Sequence, residues 1–278
     1  MEQHSDAIAA HYHRDALFDA IVDALRLDGK DPARLTIDDL QMVDEVHSRG
    51  RETTVEVAGL TPIGAADRVL DVGCGLGGPA RYLASTIGCR VTGIDLTTAF
   101  VEAGNRLTDL LGLSQRVHAE VGNALAMPFA DASFDIAWTI QVQMSIADKA
   151  RLYREIRRVL RPGGRLVFQD IVRGPVTGLF TPTPWTGDPA HSFLLPPDEL
   201  HATIVAAGFE PLLWRDTTAA MKQWQAGQLS SQKQTAARPA LGIHLVLGPT
   251  AADKRHNVQR NLAAGHIGYV QGVFHARA

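Results

Sequence analysis

The period of the apolar positions changes along this chain. In residues 14–27, RDALFDAIVDALRL, Leu17, Ile21, Ala24 and Leu25 recur at three- and four-residue intervals, while Asp15, Asp19, Asp23 and Arg26 take the opposite side. That is the stripe of an amphipathic helix. TIDDLQMVDEVH predicts a second helix, with Thr36 and Asp39 at capping-box spacing. HSRGRE, residues 47–52, is a polar break before another helix. From Arg68 the pattern switches to short Val-, Ile- and Leu-rich runs: RVLDVG, CRVTGIDL, RVHAEVGNA, SFDIAWTI and RLVFQDIV. These are predicted strands. Helices are expected after Pro79, over residues 98–111 and over residues 145–160, the last stopped by Pro162-Gly163-Gly164.

Strands alternating with helices predict an α/β fold, a doubly wound and mostly parallel sheet. In such sheets ligands bind beyond the carboxyl ends of the strands. Asp71, Asp95, Asn123 and Gln141 fall at or just past those ends. Residues 173–197 break the pattern with six prolines and three glycines. A long stretch without periodicity is usually functional or disordered, and the aromatics Phe180, Trp185 and Phe193 argue against plain disorder. A helix over 197–208, the strand EPLLWRD, a helical insertion over 218–262 and a Val-rich final strand, GYVQGVFHAR, complete the reading. The whole of 1–278 reads as one domain: a helical lid at 1–60, a ligand-binding core at 68–171, and insertions at 172–197 and 218–262 that face a substrate.

The densest chemistry lies in VLDVGCGLGG, residues 69–78. Glycine permits positive φ and close backbone approach to a ligand. The helix that follows offers free N–H groups. Gly73, Gly75 and Gly78 satisfy a dinucleotide fingerprint, with Asp95 at the required distance of about 20 residues. Gly73, Gly75 and Gly77 also satisfy an alternating pattern in which Asp71 precedes the first glycine by two. That carboxylate separates the readings, because it repels a pyrophosphate and attracts a ligand bearing an ammonium and a sulfonium. S-adenosylmethionine is such a ligand.

Charge and cysteine content narrow the partners. The net charge is -3, which gives no electrostatic case for nucleic acid. Two cysteines, Cys74 and Cys89, make no disulfide framework and suit a reducing, cytoplasmic compartment. No apolar run reaches the length of a membrane span, and MEQHSDAIAA lacks the features of a signal peptide. No set of histidines, cysteines and carboxylates has metal-ligand spacing. Arg154, Arg157, Arg158 and Arg161 crowd one helix and read as a solvated face rather than a phosphate site. Nothing in the sequence speaks to oligomeric state.

LDVGCGLGG (70–78), GIDL (93–96), GNALAMPFADASFDIAW (122–138) and LRPGGRLVFQD (160–170) together resemble the class I S-adenosylmethionine-dependent methyltransferases. PARYLA, WTIQVQMSIADK and PTPWTGDPAHSFLLPP resemble its small-molecule group around sarcosine/dimethylglycine and tocopherol methyltransferases. The resemblance implies a seven-stranded sheet with the final strand antiparallel between the fifth and sixth. It implies that Gly73, Gly75 and Gly77 admit the methionyl part of the cofactor, that Asp71 supports its amino end, and that Asp95 accepts from both ribose hydroxyls. Leu96 would pack on the adenine, Asn123 and the Ala124 N–H would read its edge, and Gln141 would contact the amino-acid end. The family often has Asp where this chain has Asn123.

Three further expectations concern the rest of the site. Arg49, in the polar break, is the natural fork for the cofactor carboxylate. Gln143, Met144, Trp185 and Phe193 are expected to line the acceptor pocket, with Gln143 and His47 as catalytic candidates. The expected partner is a small molecule, with nitrogen favoured over carbon or oxygen as the methylated atom, because aromatic faces also favour a substituted ammonium product.

Overall fold

The computed structural model describes residues 16–231 and 239–277. His11, Tyr12, His13 and Asp15 lie outside them. Seven strands form one sheet in the order β3-β2-β1-β4-β5-β7-β6. They are β1 Arg68–Val72, β2 Arg90–Asp95, β3 Val117–Val121, β4 Phe134–Ile140, β5 Leu160–Arg173, β6 Phe209–Asp216 and β7 Ile267–Ala276. β1 to β5 pair in parallel; β7 runs antiparallel between β5 and β6. Every residue of the central strand β4, FDIAWTI, is buried. A continuous apolar run is what a parallel strand covered on both faces requires.

Helices cover both faces. On one, α4 (Gly78–Thr86) sets Ala80, Leu83 and Ala84 against Val69, Val91, Ile136 and Trp138. On the other, α6 (Lys149–Val159) and α7 (Pro197–Ala206) pack Leu152, Ile156, Leu200 and Ile204 against Leu70, Phe134 and Phe168. The α6 helix begins later than its apolar pattern predicts. Gln143–Ser145 form a separate 3-10 turn, and Asp148 then caps α6 by accepting the Arg151 N–H at 2.9 Å. The crowded arginines of α6 are partly committed rather than simply solvated: Arg158 pairs with Glu155 and Asp131 and donates to the Met127 and Phe129 carbonyls.

The N-terminal helices are α1 (Leu17–Leu27), α2 (Ile37–Asp44) and α3 (Arg51–Ala58). They are built into the core. Leu17, Ile21, Leu25 and Leu40 share a cluster with Leu76 and with Phe100 and Leu107 of α5 (Thr98–Leu110). At the end of α2, Asp44 meets Arg81 of α4 at 2.8 Å, each side chain 1% exposed. The two helices come so close that a Cβ on Gly78 would lie 2.4 Å from the Asp44 carbonyl oxygen. Gly78 is therefore a helix-packing glycine. Beyond β6 come α8 (Thr218–Ser231), α9 (His244–Leu247) and α10 (Ala251–Ala264). Among the described residues, no helix is long and apolar enough to cross a membrane.

Candidate active site

A cavity of about 990 Å³ opens at the carboxyl ends of β1, β2 and β4. The strand order reverses there, between β1 and β4. A pocket of this volume lies at the upper end for small-molecule sites. Gly73, Gly75, Asp71, Asp95, Leu96, Asn123, Ala124, Gln141, His47, Arg49, Met144 and Trp185 all line it.

The glycine loop is shaped for close approach. Gly73, Gly75 and Gly77 have φ of 72°, 53° and 77°, values that disfavour a side chain. A Cβ on Gly75 would enter open space. Gly77 does not line the cavity; it precedes α4, and its Cβ would crowd Arg81. The Gly75 N–H donates to Asp95 Oδ2 at 2.9 Å and the Thr97 N–H to Oδ1 at 2.9 Å. Each carboxylate oxygen keeps further lone-pair capacity toward the cavity. Burial still raises the Asp95 pKa above its ordinary value, against these two bonds.

Asp71 differs from Asp95. It is buried, and its Oδ2 has no hydrogen-bond partner. Burial, then the neighbouring Asp95 and Glu45 carboxylates, push its pKa up to about 8. A buried acid without a counter-charge is high in energy when ionised. A cation arriving beside it would relieve that.

The polar break wraps over this floor. Arg49 and Gly50 both take positive φ. Glu45, wholly buried, gathers His47 Nε2 at 2.9 Å, Thr54 Oγ1 at 2.6 Å and the Arg51 guanidinium. Burial works against its charge, yet these bonds outweigh it and hold the carboxyl below its ordinary range. Ser48 donates its N–H to Gln141 Oε1 at 3.1 Å, and its hydroxyl lies 2.8 Å from the Tyr269 hydroxyl. Gln141, itself at φ 54°, passes its amide N–H to Gln169 Oε1 at 3.1 Å. The side chain expected to meet a ligand thus ties the N-terminal segment to the sheet. Arg49 also has partners already: Glu56 at 2.6 Å and Glu52 at 3.4 Å. The Asn123 Oδ1 accepts the Leu125 N–H at 2.8 Å.

The far end of the cavity is apolar. Met144, Ile171, Trp185, Met221, Leu262 and Tyr269 form one buried cluster there. The Trp185 ring N–H is satisfied by Ser192 Oγ at 2.9 Å. Two expected residues fall elsewhere. Gln143 is 1% exposed and does not line the cavity; its amide donates to the Ile171 carbonyl at 2.6 Å. Its N–H, with that of Val142, goes to Asp170, so the 3-10 turn faces this residue inward. Phe193 does not line the cavity either. Its backbone N–H donates to the Met144 carbonyl at 2.9 Å, which ties its segment to the cavity wall.

The apolar pattern did not single out Glu45, Ser48, Gln169 or Tyr269. Glu45 and Ser48 lie in a helix end and a polar break, where a solvated surface gives the same pattern. A glutamine inside RLVFQDIV and a tyrosine opening a Val-rich strand were the signals available. Burial pushes the Cys74 thiol up, so it stays protonated. Among the described residues, no group of three or more His, Cys, Asp or Glu side chains is placed to hold a metal.

Comparison with known proteins agrees with this geometry. Residues 70–168 match the family model described as methyltransferase domain. Methyltransferase GfsG of Streptomyces halstedii is 36% identical over 144 residues, 51% of this chain and 52% of that protein. The chain thus spans about half the length of that curated relative, and less of several others. Tocopherol and glycine/sarcosine/dimethylglycine methyltransferases are also among the curated relatives, the group that the sequence resembles. The crystal structure of the [4+2]-cyclase SpnF superimposes with TM-score 0.65 and 26% identity, covering 94% of each chain. Geranyl diphosphate C-methyltransferase from Streptomyces coelicolor A3(2), solved with Mg2+, geranyl diphosphate and S-adenosyl-L-homocysteine, shares the fold with TM-score 0.68 and 22% identity over 99% of this chain and 98% of that one. Core sequence, strand order and glycine loop thus agree with the methyltransferase domain that residues 70–168 match, and the sheet is that of the S-adenosylmethionine-dependent methyltransferases the chain resembles.

Proposed function

We propose that the protein transfers a methyl group from S-adenosylmethionine to a nitrogen of a small organic acceptor. The observation that carries the cofactor reading is Asp71: a buried carboxylate with one oxygen unpartnered, at the floor of the cavity beside the open face of Gly75. An ammonium fits it and a pyrophosphate does not. Asp95 suits a pair of ribose hydroxyls, and Leu96, Asn123 and Ala124 line the wall expected to hold the base. The Arg49 guanidinium would share its fork between Glu56 and the cofactor carboxylate. When bound, the cofactor supplies an electrophilic methyl carried on a sulfonium, displaced in line by the acceptor.

The chain's own residues then align the acceptor and exclude water. Met144, Ile171, Trp185, Met221, Leu262 and Tyr269 make a dry, aromatic compartment. Burial pushes the Tyr269 phenol in this wall up to about 12, so it stays protonated at neutral pH and offers no base. A neutral amine needs no base before attack, whereas a hydroxyl does. That favours nitrogen. His47, engaged with Glu45, serves in this reading to hold the polar break in place. Tocopherol O-methyltransferase among the relatives keeps oxygen as the competing acceptor.

The test has two stages. S-adenosylhomocysteine should raise the melting temperature while NAD leaves it unchanged, since a ligand stabilises only what it binds. The reverse result would sink the cofactor assignment. Labelled-methyl transfer to a panel of small amines, phenols and alcohols, with tRNA and protein alongside, then decides the acceptor. Label confined to oxygen or carbon products defeats the nitrogen reading; label confined to macromolecules defeats the small-molecule reading.

A further inference from the structure

The acceptor compartment changes character along its own wall. Helix α8 leaves the sheet at Thr218, whose hydroxyl accepts the Tyr269 N–H at 2.9 Å. Helix α10 returns to it, ending at Ala264 shortly before β7. Met221 and Leu262, next to the sheet, belong to the apolar cluster. Seven residues outward along each helix, about 10 Å at the rise of an α-helix, the cavity is lined instead by Gln228 and Arg255. Gln225 and Gln259 line it between these levels. Over that distance the wall passes from thioether, indole and aliphatic groups to side-chain amides and a guanidinium.

Arg255 is the informative member. Among the described residues two arginines line the cavity, Arg49 and Arg255. Arg49 pairs with Glu56 and Glu52. Arg255 is exposed and has no ion pair among the described residues. Among the described residues the carboxylates of the cavity are Asp44, Glu45, Asp71, Asp95 and Asp148, the last committed to capping α6, and Arg255 forms an ion pair with none of them. Arg255 is thus a guanidinium without an ion pair, set in the helical wall between the apolar cluster and the lining residues Ala251, Ala252, Val246 and Leu247. A guanidinium offers a planar fork of donors that matches carboxylate and phosphate oxygens, and amide N–H groups beside it extend the same preference.

We propose that this outer level is an anion subsite, and that the acceptor is an amphiphile. Its anionic group, a carboxylate or a phosphate, sits among Arg255, Gln228 and the amides of Gln225 and Gln259. Its apolar body lies against Trp224, Met221 and Trp185, and its reacting end reaches the floor near Met144. The orientation of the acceptor rests on the methyltransferase reading; the anion preference itself does not.

Binding of single-chain probes tests it without knowing the acceptor. Decanoate, decyl phosphate, decanol and decyltrimethylammonium, each below its micelle concentration, are titrated calorimetrically into wild-type protein and Arg255→Gln, with and without S-adenosylhomocysteine. Wild-type protein should bind the two anions about 10-fold tighter than decanol, equal to about 1.4 kcal/mol. In Arg255→Gln that gap should close to within about twofold, with decanol and S-adenosylhomocysteine affinities unchanged. Whichever anion binds tighter identifies the headgroup class. Equal binding of decanol and the anions, an anion preference that survives Arg255→Gln, preference for the ammonium, or no binding of any probe would each overturn the subsite. If S-adenosylhomocysteine fails to bind while the anion preference holds, the subsite stands and the methyltransferase reading falls.

Discussion

The two ends of the cavity are built on different principles. The cofactor end is made from strand ends and the turns that follow them, with Asp71, Gly73 and Gly75 in one turn and Asp95 and Leu96 in the next. Its groups are backbone N–H donors and carboxylates, pinned by bonds such as Gly75 to Asp95 at 2.9 Å. The acceptor end joins a 3-10 turn, an irregular segment, two helices and the antiparallel strand. Its groups are mainly side chains chosen for bulk and apolarity. A site made of main chain and charge tolerates few alternatives, because a Cβ or a lost carboxylate changes it directly. A site made of packed side chains can change shape while the sheet below it stays the same. The anion subsite adds one charged position to an otherwise apolar end.

The sharpest way to break the comparison is to remove the joint on which the cofactor end depends. Asp44→Ala leaves Arg81 buried without its partner, which typically costs about 3–5 kcal/mol. Urea denaturation should show that loss, and both ends of the cavity should weaken together. An unchanged midpoint would mean that α2 is a loose cover after all.

Asp95→Ala should affect the cofactor end alone. Losing hydrogen bonds to a charged acceptor amounts to about 1.5–3 kcal/mol, read as a weaker S-adenosylhomocysteine dissociation constant with the fold intact. Binding of the decyl probes should not move. Equal losses for both kinds of ligand would dissolve the distinction between the ends.

The pH dependence sharpens it further. Asp71, at about 8, is protonated in the free protein at neutral pH, and a bound ammonium favours its ionised form. Cofactor binding then releases a proton, so affinity should rise by up to about tenfold per pH unit until about pH 8 and then level off. Calorimetry in buffers of different ionisation heat detects the proton directly. Asp71→Asn should abolish both the release and the slope. The same raised pKa acts on folding with the opposite sense. Its stabilising contribution is complete below the ordinary 3.8 and is lost as pH rises through about 8. Asp170, at about 7, and Asp44, at about 6, act in the same direction. The ligand-free protein should therefore gain stability from Asp71→Asn near pH 8 and little near pH 4.

The smallest effect is expected at the seam between the ends. Tyr269→Phe keeps the ring of the acceptor wall and removes the bond to Ser48, worth about 0.5–1.5 kcal/mol. The melting temperature should fall by a few degrees, with the S-adenosylhomocysteine constant almost unchanged. A large loss of cofactor affinity would instead mean that the Tyr269–Ser48–Gln141 chain holds the cofactor end in shape.

What the sequence determined by itself was local. Short continuous apolar runs placed the strands and periods of three to four residues the helices, because a parallel strand is covered on both faces and a helix repeats one face within a turn. Gly73, Gly75, Asp71 and Asp95 could be read because turn, ligand-facing carboxylate and strand end lie within a few residues of one another. Only the tertiary structure decided the partners of polar groups distant in sequence. Gln143 and Gln141 follow the same strand, yet one turns inward to the Ile171 carbonyl and the other joins Ser48 to Gln169. Arg255 and Trp185 reach one cavity from segments about 70 residues apart. Periodicity shows which face of an element is buried, but the identity of what covers that face is set by packing between elements, which no local pattern encodes.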